Sequence, residues 1–141
     1  MIEGKSCGDC TLCCKLLPLE EKNKPKDVWC KECTPSNGCN IYDERPQACI
    51  DFDCMWLTYS LPEFMNPKKS KVVLSAGHER IFAYTDNPRV MVDIIKSDGR
   101  VGRFLNQMIE EVQTPLILIN KNEVRTINPK QKKFINLNLP D

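Results

Sequence analysis

The sequence predicts an α+β fold, in which a loop-rich N-terminal cysteine lobe packs on a small antiparallel sheet with one main amphipathic helix. Three observations predict it. All nine cysteines of the 141-residue chain lie between Cys7 and Cys54. Downstream, two pairs of strand-like runs are joined by short polar turns. Between those pairs lies one stretch with helical apolar spacing. The length suits a single domain, read here as a cysteine lobe at 1–60 and an α+β lobe at 61–141.

Taken in order, residues 1–60 show little regular periodicity and carry turn formers such as TPSNGC at 34–39. Loops and short helical turns are expected there. Within IYDERP, Pro46 fits the first turn of a helix starting at Asp43 or Glu44. That helix would carry Cys49, with Cys54 at or just past its end. VVLSA (72–76) and RIFAYT (80–85) read as strands around a GHE turn at 77–79, and DNP (86–88) reads as a turn. Val101, Phe104, Leu105, Met108, Ile109 and Val112 recur at helical spacing, with Ser97 or Asp98 as N-cap. PLILIN (115–120) and EVRTIN (123–128) form a hairpin around Asn120–Lys121–Asn122. The tail PKQKKFINLNLPD is read as short and partly mobile.

Composition removes several function classes. Hydrophobic residues make up 41% and charged residues 28%, so there is material for a core. A net charge of +1 gives no general case for nucleic-acid or membrane partners. No apolar run approaches the ~20 residues of a membrane-spanning helix. MIEGKSCGDC has no basic segment followed by an apolar one, so a cytoplasmic location is expected. The basic stretches KKSK (68–71) and PKQKK (129–133) read as solvated surface. Catalysis finds little support: there is one histidine, His78, in a turn, and Asp9, Asp51 and Asp53 read as solvating charges.

The cysteines carry the chemistry. Cys7, Cys10, Cys13, Cys14, Cys30, Cys33, Cys39, Cys49 and Cys54 include two C-x2-C pairs, Cys7/Cys10 and Cys30/Cys33, and an overlapping third, Cys10/Cys13. A tight turn lets C-x2-C place both sulfurs about 2.3 Å from one ion. Disulfides suit small secreted chains without a core, and an odd count leaves one thiol over. A thioredoxin-like site would need a strand before the pair and would leave seven cysteines unexplained. The pattern therefore points to metal. Zinc in four-thiolate sites would use eight of the nine sulfurs, and a bridged three-ion cluster would use all nine. Iron competes: Cys7-x2-Cys10-x2-Cys13 matches the triplet of bacterial [4Fe–4S] ferredoxins, without their fourth ligand, so a remote cysteine would complete it. The vicinal pair Cys13–Cys14 is expected to serve two ions, or to bridge them.

CGDCTLCC, followed by WC-x2-C (29–33), GCNIYDERPQAC (38–49) and FDCMWL (52–57), resembles the CxxCxxCC cysteine-cluster family, the YkgJ type, described as a zinc- or iron-chelating domain. The resemblance implies metal chelation by the clustered cysteines and implies no reaction. Larger relatives carry such a cluster in flagellin lysine methylases, but this chain shows no Gly-rich cofactor loop after a strand, so that activity is not carried over. Cys33 is the less regular member of the set.

The expected function is chelation of zinc, more than one ion, by clustered thiolates. The alternatives are an iron–sulfur protein in electron transfer or accessory to an enzyme, and, behind it, a metal chaperone or store. Two zinc ions with eight thiolates keep about four negative charges, so cations or N–H donors near sulfur should help. Arg45 is the candidate for that supporting role. Metal ions are the expected partners, and a protein partner is left open.

Overall fold

Six strands and six α-helices form in the computed structural model, which describes Cys7 and residues 10–130. The predicted tail from 131 onward lies outside the described residues. The first segment is loop-rich, as its sequence implies. It contains α1 (Leu12–Leu16), the two-residue strands β1 (Cys33–Thr34) and β2 (Gly38–Cys39), α2 (Gln47–Asp51) and α3 (Met55–Thr58). The TPSNGC turn is the β1–β2 hairpin, with Ser36 and Gly38 at positive φ. The 42–51 region departs from expectation: Tyr42–Glu44 forms a separate 3-10 turn, Pro46 caps α2, and Cys54 caps α3. The proline ring cannot donate into a preceding turn, so the helix restarts after it.

The second segment runs α4 (Pro67–Ser70), β3 (Val73–Gly77), β4 (Arg80–Tyr84), α5 (Pro88–Lys96), α6 (Gly99–Val112), β5 (Leu116–Asn120) and β6 (Glu123–Ile127). All four predicted strands are present, in the sheet order β3-β4-β5-β6. The α+β class holds, but the sheet is mixed rather than antiparallel, because β4 and β5 pair in parallel. A parallel pair needs a long crossover, and here α5 and α6 together supply it.

That second helix is the main departure from the expected single one. DNP is a helix start: the Asn87 side chain accepts from the backbone N–H groups of Arg89 (3.0 Å) and Val90 (3.3 Å), and Pro88 occupies the first turn. Asp98 is the N-cap of α6. Leu105 and Ile109 of the predicted stripe are buried, whereas Val112 is exposed. Gly102 permits close contact between the helices, since a Cβ there would lie 2.3 Å from the Asp93 carbonyl oxygen.

Strand alternation then sets the layers. Ile81, Ala83, Leu116 and Leu118 form the core with Met91, Ile94, Leu105 and Ile109 of the helices. Phe82 and Tyr84 point to the opposite face, where Phe52 of the cysteine segment meets Tyr84 edge-on at 6.5 Å. A backbone bridge between Cys54 and Ser75 and an ion pair between Lys15 and Asp86 (2.5 Å) join the segments further. Among the described residues, no helix is long and apolar enough to cross a membrane.

Candidate metal centre

Backbone bonds gather the cysteines from separate stretches. The Cys10 N–H donates to the Cys7 carbonyl (2.7 Å) and the Cys33 N–H to the Cys30 carbonyl (3.1 Å), so each C-x2-C closes as one turn. Helix α1 carries Cys13 and Cys14, and the Cys14 carbonyl accepts from the Cys30 N–H (3.0 Å), which sets the second pair against the first. The Thr11 hydroxyl accepts from the Ser36 N–H (3.0 Å) and ties α1 to the hairpin. Cys33 and Cys39 face one another across that hairpin. Cys49 rides on α2, and Cys54 starts α3 beside β3.

Eight of these thiols share one cavity of about 480 Å³: Cys7, Cys10, Cys13, Cys14, Cys30, Cys39, Cys49 and Cys54. Leu17, Ile41, Phe52, Leu57, Val73 and Tyr84 supply much of its apolar wall, so it sits where the cysteine segment meets the sheet. Cys33 is buried and does not line it, but its thiol hydrogen-bonds with that of Cys14. Cys14 also bonds its neighbour Cys13, so one sulfur links the vicinal pair to the hairpin.

The electrostatics favour protonated thiols. The hydrogen bond to Cys13, then burial, holds the Cys14 thiol above the ordinary range. Burial pushes Cys33 up to about 12, helped by Cys14 and Cys30. Burial also pushes Cys54 up to about 11 against the backbone N–H groups of Trp56 and Leu57, with Cys7 and Cys10 adding to the rise. Cys7 is raised by burial and Cys10, and Cys49 by burial and Cys14, Cys30 and Cys39. Arg45 opposes both of these last shifts. Its Nε donates to the Tyr42 carbonyl (2.9 Å) and its guanidinium lies 4.0 Å over the Tyr42 ring, aimed at the cavity.

The donor chemistry suits a thiophilic ion: eight thiols line the cavity against one carboxylate, Glu32, and His78 is exposed on the far β3–β4 turn. The positions do not yet converge. Among the described residues, no three Cys, His, Asp or Glu side chains stand in an arrangement that would hold an ion, and all nine cysteines are free thiols. Proton loss and side-chain rotation would have to accompany any ion's entry. Asp51 and Asp53 accept from Gln47 and Thr58 (both 2.8 Å) and do not line the cavity. Asp9 lies outside the described residues.

The sequence reading passed over Lys24, which does line the cavity and is 8% exposed. EKNKPKD reads as a solvated charged loop, and nothing in its spacing singles out one lysine. Comparison of the chain with protein-family models, curated proteins and solved structures returns no match.

Proposed function

We propose that this protein is a metal-chelating protein whose clustered thiolates take up more than one zinc ion. The reading rests above all on the gathering of eight thiols from distant stretches around one cavity whose wall is otherwise largely apolar. It also rests on the resemblance of residues 7–57 to the CxxCxxCC cluster family. Soft thiolates select zinc, iron–sulfur units and copper(I) over hard cations. Electrostatic neighbours suggest how the ligands divide. Cys54 acts with Cys7 and Cys10, whereas Cys49 acts with Cys14, Cys30 and Cys39. Cys13 joins the first group by its spacing, and Cys14 lies between the two. A bound ion would supply folding free energy to a segment with little core of its own. We place this activity in the cytoplasm, with Arg45 offsetting thiolate charge near Cys7 and Cys49.

One observation favours iron as the second reading. Cys54 lines the same cavity as Cys7 and Cys10 and is raised by both, which makes it the candidate for the remote cysteine that a Cys7–Cys10–Cys13 triplet needs to hold a [4Fe–4S] cluster. Anaerobic purification with elemental analysis and a visible spectrum tests both readings. Zinc at about two per chain in colourless protein supports the first. Brown protein with iron and sulfide supports the second. Less than one metal per chain in fully folded protein removes both.

A further inference from the structure

The long side chain of Lys24 enters the cavity from a loop that is itself held closed. Leu19 and Lys24 exchange two backbone hydrogen bonds, each 2.9 Å, across the turn Glu20–Lys22. This fixes the backbone, and the side chain runs inward to a position 8% exposed. Its Nζ donates to the carbonyls of Lys15 (3.1 Å), Leu17 and Pro25 (3.1 Å). An ammonium has three donors and no acceptor, so all three are committed to backbone oxygens. None is left to bond a sulfur, and the group is fixed in place as a positive charge. Burial lowers the pKa of this ammonium, and Cys30 and Cys14, which line the same cavity, oppose that fall most strongly, ahead of Asp27 and Cys13.

Burying an ammonium is costly unless opposite charge or strong hydrogen bonding compensates it. Three carbonyls satisfy the hydrogen bonds but bring no net charge. A cluster of thiolates would supply it. Arg45 acts on Cys7 and Cys49 instead, so the two cations address different sulfurs. We infer that Lys24 is a positioning residue whose fixed charge offsets the thiolates of Cys14 and Cys30 and so raises metal affinity at that end of the cluster. This rests on the metal-chelating reading above and deepens it.

The experiment uses the full chain, with zinc as the probe. Affinity is measured by competition with a chelator for the wild type, Lys24→Arg, Lys24→Met and Lys24→Gln, alongside thermal midpoints with and without zinc. Gln keeps two N–H donors for the carbonyls but loses the charge, so it separates the two roles. Loss of a supporting group around a metal site weakens affinity about 10- to 100-fold. That loss is expected for one class of zinc site in both neutral variants, with Arg restoring affinity to within a few-fold. The zinc-dependent rise in thermal midpoint should shrink in the same variants. A variant that folds only on adding zinc is scored by the zinc concentration at half-folding. A purely backbone-holding role lowers the midpoint equally with and without zinc and leaves affinity unchanged. Wild-type affinity in Lys24→Gln, or failure of both neutral variants to fold at any zinc concentration, overturns the inference. A wild type that takes up no zinc or iron overturns the chelation reading instead, and with it this one.

Discussion

The pH dependence of zinc affinity is where this site should differ most from a set of ordinary thiols. Metal ions bind thiolates, so each ligand that begins protonated releases one proton on binding. A thiol with the usual pKa of about 8.5 is already ionised near pH 9.5 and releases almost none there. Among the cavity thiols, burial holds Cys54 at about 11, and Cys7, Cys14 and Cys49 are raised in the same direction. Each proton released multiplies the binding constant about tenfold per pH unit. With ligands still protonated, affinity should climb about a hundredfold or more per unit between roughly pH 9 and 10. Competition against a chelator of known pH dependence measures it, corrected for zinc hydrolysis. A plateau in affinity above about pH 9 would refute the reasoning, because it means the thiols are not held protonated. The metal-free chain should behave in the opposite sense. Its raised thiol pKa values contribute stability that is complete below the unfolded value of about 8.5. That contribution is lost as pH rises through 11–12, the range of Cys54 and Cys33. Alkali should therefore destabilise the metal-free chain, and acid the zinc-loaded one.

Other substitutions test the frame around the site. Gly102→Ala would gain about 1 kcal/mol of helix propensity in open solvent. Here the new methyl meets the Asp93 carbonyl oxygen at 2.3 Å, so a net loss of about 1–3 kcal/mol is expected in denaturant unfolding. A more stable variant refutes the close helix contact. Asn87→Ala should cost about 1 kcal/mol through loss of the α5 cap, and Asn87→Asp should recover most of it. Cys14→Ser should lower zinc content by about one ion per chain, since Cys14 adjoins both proposed ligand groups. Cys33→Ser should retain full content, because Cys33 lies outside the cavity wall.

The strands were legible because their apolar runs are bounded by turn residues, and the α6 stripe because Leu105 and Ile109 repeat at helical spacing. Helix α5 was hidden behind DNP, whose Asn-Pro pair serves a turn and a helix start equally well until a partner helix covers Met91 and Ile94. The parallel β4–β5 pairing depends on that missed helix. In the cysteine segment, spacing identified the two C-x2-C turns, because each is a local backbone feature. It could not show that Cys54 lines one cavity with Cys7 and Cys10, which requires β3 to hold the start of α3 through Ser75. Arg45 stood out beside Pro46 within a recognisable block. Lys24 did not, because its burial comes from a loop closure at Leu19 that no periodicity announces.

The most direct test of the central claim is the metal content of protein purified without oxygen and without added chelator, read with its visible spectrum. Chelation by the clustered thiols predicts about two zinc ions per chain in colourless protein, and selective loss of structure in the cysteine segment when they are removed. Folded protein containing neither zinc nor iron would contradict it.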